Sequence, residues 1–287
     1  MNAKEKDKIA TGFLYVISIF VILLLVGMIG YILYRGMPNL SVKFLFGKPS
    51  SKVGGGIGLH LFNSFYMLVV SLIITVPIGI GAGIYLAEYA KQGKILNTIR
   101  LCIETIASLP SIVVGLFGLL FFVGILGWGY SIIAGALSIT ILNLPSMTTV
   151  TESALRAVPV TIKEGSLGLG ATKWQTIKKI ILPSAIPQIL TGIILSAGRI
   201  FGEAAALLYT AGMSAPNVRI SDGSAFNLFR PAETLAVYIW KLNSEAVVPD
   251  ATQIANASAA VLIIIVILFN TLARFIGKKI YKRYTGN

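Results

Sequence analysis

Two charged residues four positions apart, Arg199 and Glu203, lie inside an otherwise apolar run, Ser196-Ala-Gly198-Arg199-Ile-Phe-Gly202-Glu203-Ala-Ala. An ionised side chain within a bilayer costs about 2.5–3.5 kcal/mol or more, so such residues usually face a cavity and serve transport. On a continuous helix this spacing puts both on one face, and Gly198 and Gly202 beside them let another helix come close. The alternative is a structural ion pair that fixes one helix against another. Upstream lies a polar segment, Glu164-Gly165-Ser166-Leu-Gly168-Leu-Gly170, which continues to Ile180-Ile-Leu182-Pro183. A third cluster, Asn143-Leu-Pro145-Ser-Met-Thr148-Thr149-Val-Thr151-Glu152, is rich in hydroxyls. It suits either a hydrated path or side chains bonded to their own helix carbonyls.

The elements that hold these residues are membrane spans. Only 12% of the 287 residues are charged and 55% are hydrophobic, whereas soluble domains carry about a quarter charged residues. Six apolar runs reach the length of about 20 residues that a helix needs to cross a bilayer. They are 9–33, 61–86, 105–126, 130–150, 188–209 and 254–276. Helices are the expected form, because an open sheet in lipid leaves backbone groups unpaired. The first run is too long for a signal-peptide core and lacks a small-residue cleavage site, so it is expected to be a mature span. Pro77, Pro110 and Pro145 interrupt three of the runs and predict kinks. Gly79 and Gly83 are expected to form a close-packing face on the second.

The net charge of +13 does not mark a nucleic-acid binder, because the basic residues cluster beside apolar runs. They concentrate in 4–8, 91–100, 156–179 and 274–283, which predicts that both termini and the 152–186 loop are cytoplasmic. The basic edge after the last span suits anionic lipids. Within the inner loop, Thr161 with Glu164 and Thr172 with Gln175 have capping-box spacing. They predict two short helices separated by Gly168 and Gly170, with Pro183 and Pro187 ending the unit before the fifth span. The alternative is an interfacial amphipathic loop. On the outer side, 221–224 reads as a turn and 232–241 as a short surface helix or a covering loop.

Several chemistries are missing from the sequence. It holds no Gly-x4-Gly-Lys-Ser/Thr loop, so the chain is not expected to bind and hydrolyse ATP. It holds no His-Glu-x2-His pattern and no Gly-x-Ser-x-Gly elbow. Cys102 is the only cysteine, and His60 has no ligating neighbour in sequence, so neither a disulfide nor a metal site is expected. Gly54-Gly55-Gly56-Ile-Gly58 is read as a mobile approach to the second span, not as a phosphate cradle. No internal repeat is evident, which weakens a secondary-transporter reading.

The inner loop resembles the Glu-Ala-Ala-x3-Gly-x9-Ile-x-Leu-Pro motif of ABC importer permeases, often called the EAA motif. Glu164, Gly170, Ile180, Leu182 and Pro183 fall at its fixed spacings, and Gly165 and Ser166 replace the two alanines. The stretches Ser108-Leu-Pro110-Ser111-Ile-Val-Val-Gly115-Leu-Phe-Gly118, Thr151-Glu152-Ser-Ala-Leu155-Arg156-Ala-Val-Pro159 and Gly198 to Gly212 are similar to phosphate importer permeases, on the A-type side of the pair.

The resemblance implies an all-α, polytopic, six-span bundle of the type I importer kind, forming one permease domain in a prokaryotic cell membrane. It implies a cytoplasmic ATPase dimer gripping Glu164, Gly165, Ser166, Gly170, Ile180, Leu182 and Pro183. It also implies a homologous C-type permease and an extracytoplasmic phosphate-binding protein. No cofactor is expected in this chain, since ATP and magnesium would sit on the partner ATPase. Arg199 and Glu203 are implied in transport, with Arg199 offering donors to phosphate oxygens and Glu203 holding it in place. Ser108, Ser111, Thr148 and Thr149 are expected to line the same pathway. A sulfate or molybdate permease is the main rival, and a secondary transporter or channel is the rival from another class.

Overall fold

The computed structural model describes residues 3–50, 53–216, 218, 223–245 and 248–285, without the side chains of 276, 278, 280 and 281–285. Ser221 and Asp222 of the expected outer turn lie outside the described residues, as do the side chains of Lys278, Lys282 and Arg283 on the basic edge.

Among the described residues the chain is built from helices. The first, α1 (Ala3–Gly36), is followed by the short α2 (Val42–Phe46). The second long helix, α3 (Gly58–Ile84), runs on through a π turn at Tyr85–Tyr89. Next come α4 (Lys94–Ala107) and α5 (Ser111–Gly118), the latter prolonged by a π turn at Leu119–Ile125. The central helix is α6 (Ile132–Arg156). The inner loop holds α7 (Val160–Gly168) and α8 (Lys173–Thr176), and α9 (Leu182–Gly202) and α10 (Ala205–Thr210) follow. An outer helix, α11 (Leu235–Glu245), precedes α12 (Ala251–Thr285).

Among the described residues, five stretches are long and apolar enough to cross a bilayer: Ala3–Asn39, Gly58–Tyr89, Ile132–Arg156, Lys173–Gly202 and Ala251–Phe275. The expected span at 105–126 is different. Its residues are divided between α4 and the stretch Ser111–Ile125, which meet at a 95° bend. Proline has no N–H to donate and its ring pushes the preceding residue out of helical conformation. Pro110, with ψ 139, therefore starts a new helix at Ser111 where the sequence suggested a kink. Pro77 and Pro145, by contrast, stay inside α3 and α6.

The core forms where α3, α6 and α9 meet, around Met67, Leu68, Ile132, Ile139, Ala197, Ile200 and Phe201. The small-residue face is used there. A Cβ on Gly79 would lie 2.5 Å from Met147 Cγ, and one on Gly83 would lie 2.5 Å from Thr151 Cβ. Thr75 donates to Thr140 across the same seam at 3.1 Å. Helix α1 stands apart: the apolar window of its span is wholly unburied, and only Gly36 is buried, close against Asn256 and Ala260 of α12.

The segment between α10 and α11 folds down on the N-terminal end of α3. Arg230 donates to Asn63 Oδ1 at 2.8 Å and to Ala225 O, while Asn63 Nδ2 donates to Glu233 O at 3.0 Å. His60 is fully buried and stacks on Tyr238 of α11, ring centroids 3.9 Å apart.

Candidate docking loop and transport pathway

The loop between α6 and α9 is a helical hairpin whose tip is exposed. Pro159, extended at ψ 133, starts α7 at Val160 without a side-chain cap. The expected Thr161 box is therefore not formed, because the helix begins two residues earlier than a Thr161 cap requires. Thr172 does form its box: its hydroxyl accepts from Gln175 N at 3.3 Å and Gln175 Oε1 accepts from Thr172 N at 2.8 Å. Between the helices, Gly170 turns the chain at φ +84, a left-handed conformation that costs other residues about 1–2 kcal/mol. Leu169 beside it is 92% exposed, which leaves the tip of the hairpin uncovered.

The structure divides the motif residues. Glu164, Gly165 and Gly170 are exposed on the hairpin. Ser166 is buried and points inward, its hydroxyl 3.0 Å from that of Thr176, so it clamps the two short helices together. Ile180, Leu182 and Pro183 are half-buried on the way into the membrane.

Pro183 and Pro187 do not end the unit. The chain runs from Lys173 to Gly202 as one 30-residue helical stretch, with a π turn at Ile177–Ile181 and Pro183 in the first turn of α9. A proline is tolerated at a first turn, and a π turn absorbs the missing hydrogen bond. The second helix of the hairpin is thus continuous with the helix that carries Arg199.

Arg199 and Glu203 do not pair. Helix α9 stops at Gly202, and Glu203 turns extended at ψ 124. Its carboxylate accepts from Ala206 N at 3.2 Å, holding the start of α10. Ala206 N, which a continuous helix would direct at Gly202 O, is satisfied by this carboxylate instead. Arg199 is exposed, and its Nη1 donates to Leu142 O on α6 at a long 3.5 Å. Among the described residues no ion pair joins it to a carboxylate. Most of its donors are therefore uncommitted, which is the condition for holding an oxyanion. Beside Gly198 lies Asn270 of α12, 3.9 Å from where a Cβ would be.

The remaining candidates lie in the bend after α4, on α5 and on α6. Helix α10 packs closely on α5: a Cβ on Gly115 would lie 2.8 Å from Ala206 Cα, and one on Gly118 would lie 2.3 Å from Ser138 Oγ of α6. Ser111 is half-buried one turn before Gly115, and exposed Ser108 donates to Thr105 O at 2.8 Å in the bend. On α6, Thr148 is buried. Thr149 and Thr151 donate to the carbonyls of Pro145 and Met147, so these two hydroxyls follow the self-bonded reading. Sequence reasoning missed the Asn63–Arg230–Glu233 network, whose only signal was Asn63 and Ser64 within an apolar run.

A multi-pass helical bundle with an exposed helical hairpin continuous with a long apolar helix is the architecture of a type I ABC importer permease. The chain belongs to the family described as binding-protein-dependent transport system inner membrane component, which matches residues 79–286. It is 50% identical over 294 residues to a probable ABC transporter permease protein, YqgI, of Bacillus subtilis (strain 168), covering 100% of both chains. It is 33% identical to the phosphate transport system permease protein PstA of Yersinia pestis, covering 96% of this chain and 91% of that one.

Among solved structures, a bacterial alginate ABC transporter in complex with an alginate-bound periplasmic protein aligns at TM-score 0.69 and 17% identity, over 97% of this chain and 96% of that one. The methionine ABC transporter MetNI, in an inward-facing form, aligns at TM-score 0.58 and 20% identity, over 78% and 94%. These two likenesses show the fold. The chain is therefore a membrane permease subunit of an ABC importer and not itself an enzyme.

Proposed function

We propose that this permease carries inorganic phosphate inward, driven by ATP that is hydrolysed with magnesium on a separate cytoplasmic ATPase dimer. The observation that carries the cargo is Arg199: an exposed guanidinium at the membrane end of α9, with no carboxylate partner among the described residues. A planar fork of donors matches oxyanion geometry, and a single cation binds weakly enough to release its cargo. The permeases named PstA that resemble this chain along most of its length support phosphate in particular.

In this reading the exposed Glu164, Gly165 and Gly170 meet the ATPase, and the continuous helix from Lys173 to Gly202 carries its movement to Arg199. Glu203 sets α10 at the rim of the pathway, while Ser108 in the bend after α4, Ser111 on α5, and Thr148 and Thr149 on α6 adjoin it. A homologous C-type permease completes the pathway, and a phosphate-binding protein delivers the cargo on the outer side. Both termini are cytoplasmic, following the basic residues of the inner segments.

The test is uptake of labelled phosphate into vesicles containing the complete complex and its binding protein, with and without internal ATP. ATP-dependent uptake blocked by unlabelled phosphate, and not by excess sulfate or molybdate, is expected. Block by sulfate or molybdate overturns the cargo, and uptake indifferent to ATP overturns the ATP-driven mechanism.

A further inference from the structure

The inner end of α3 is gripped three times by the segment that surrounds the docking hairpin. Just before α7, Arg156 Nη2 donates to Leu86 O at 3.1 Å. Within α7, Lys163 forms an ion pair with Glu88. At the start of α8, the Lys173 ammonium donates to the Glu88 carbonyl and lies 4.6 Å from the centroid of the Tyr89 ring. All these acceptors sit in or beside the π turn at Tyr85–Tyr89.

Glu88 differs from an ordinary surface partner. Its side chain is only 5% exposed, while that of Lys163 is 31% exposed. A carboxylate withdrawn from water is costly unless it stays paired, so α7 cannot shift away from α3 without exposing Glu88 to that cost. The grip passes inward through tight packing. Gly79 and Gly83 of α3 leave no free space against Met147 and Thr151 of α6, and close-packed interiors transmit displacement instead of absorbing it. Helix α6 in turn supplies Leu142 O, the acceptor for Arg199.

We propose that Glu88 is a positioning residue for coupling: it ties the docking hairpin to α3, so that one movement of the hairpin reaches Arg199 from both sides. One route is the continuous helix α8–α9. The other runs from Lys163 through Glu88, α3 and α6. The inference rests on the reading of the hairpin as the ATPase dock, and goes beyond it by naming the residue that delivers the movement to the second span.

The experiment uses the complete complex in vesicles and reads phosphate taken up per ATP hydrolysed, together with the amount of ATPase that co-purifies. Glu88→Gln is expected to keep the ATPase bound while the uptake-to-hydrolysis ratio falls at least about fivefold, the lower end of ordinary coupling between sites. The exchange Glu88→Lys with Lys163→Glu is expected to recover most of that ratio. A wild-type ratio in Glu88→Gln overturns the proposal, as does a loss that the exchange fails to recover. Leu169→Asp at the bare tip separates the two readings. If it leaves the ATPase bound, the docking reading falls and this inference with it. If it releases the ATPase while Glu88→Gln couples normally, the inference alone falls.

Discussion

The Arg100 guanidinium of α4 donates to Glu152 Oε1 at 2.6 Å, and the same oxygen accepts from Arg156 Nε at 3.0 Å. One carboxylate near the C-terminal end of α6 thus pins α4, which meets the stretch Ser111–Ile125 at a 95° bend. Arg100 is 37% exposed and Glu152 is 13% exposed, so solvent screens the pair.

The coupling energy in a double-mutant cycle of Arg100→Ala and Glu152→Ala is expected to be about 0.5–1 kcal/mol, as for partly exposed pairs. It should shrink as salt is raised. Thermal unfolding of the detergent-solubilised permease at low and high salt measures it. Additive single mutations would mean that the contact contributes nothing to holding α4.

Gly83 and Gly81 are two residues apart on α3 but meet different surroundings. A methyl group on Gly83 lands 2.5 Å from Thr151 Cβ, whereas one on Gly81 meets nothing within 4 Å. Gly83→Ala is expected to destabilise by about 1–3 kcal/mol through overpacking, and Gly81→Ala to be neutral or slightly stabilising. Yields and melting midpoints of the two variants, compared in parallel, check this. Equal behaviour would show that the α3–α6 seam has slack.

This contrast also shows what could be read from the sequence. Apolar length located the spans, because lipid demands it whatever the neighbours are. The motif spacing from Glu164 to Pro183 located the hairpin and its family. Periodicity alone could not show that α9 ends at Gly202, where the Glu203 carboxylate takes the hydrogen bond of Ala206 N. Nor could it show that Pro183 sits inside a continuous helix, because the π turn at Ile177–Ile181 that admits it has no composition of its own. The grip of Lys163 on Glu88 joins residues 75 positions apart, a distance at which no local pattern operates.

Glu233 makes the stability of the segment between α10 and α11 depend on pH. It is 3% exposed, and burial pushes its carboxyl above the ordinary value of 4.5, an effect that Lys241 opposes only in part. The folded state therefore holds this proton more tightly than the unfolded chain does. The stability this contributes is complete below about 4.5 and is lost as pH rises through the raised folded value. Glu233→Gln, uncharged and of the same shape, has no such loss. Its stability relative to wild type is expected to climb as pH rises from 4.5. Melting midpoints of the two proteins across that range measure the difference, and a flat or falling difference would contradict it.

The separation of Arg199 from Glu203 changes what their variants should do. An ion pair would make the two losses similar, since either change would free the other charge inside the membrane. With Glu203 bonded to Ala206 N and Arg199 reaching Leu142 O, the losses should differ. On the proposed reading Arg199→Ala removes charge-assisted hydrogen bonds to the cargo, worth about 1.5–3 kcal/mol, and is expected to lower phosphate uptake roughly ten- to hundredfold. Arg199→Lys keeps the charge without the planar fork and should fall between. Glu203→Gln retains an oxygen that can accept from Ala206 N, so uptake should stay within about twofold of wild type, the effect of at most a few tenths of a kcal/mol in a neutral hydrogen bond. Glu203→Ala removes the acceptor altogether and should cost about 1 kcal/mol at the start of α10, as loss of a cap does. Uptake by all four variants in one vesicle preparation gives the order directly. Wild-type rates in both Arg199→Ala and Glu203→Ala would remove this end of α9 from the pathway.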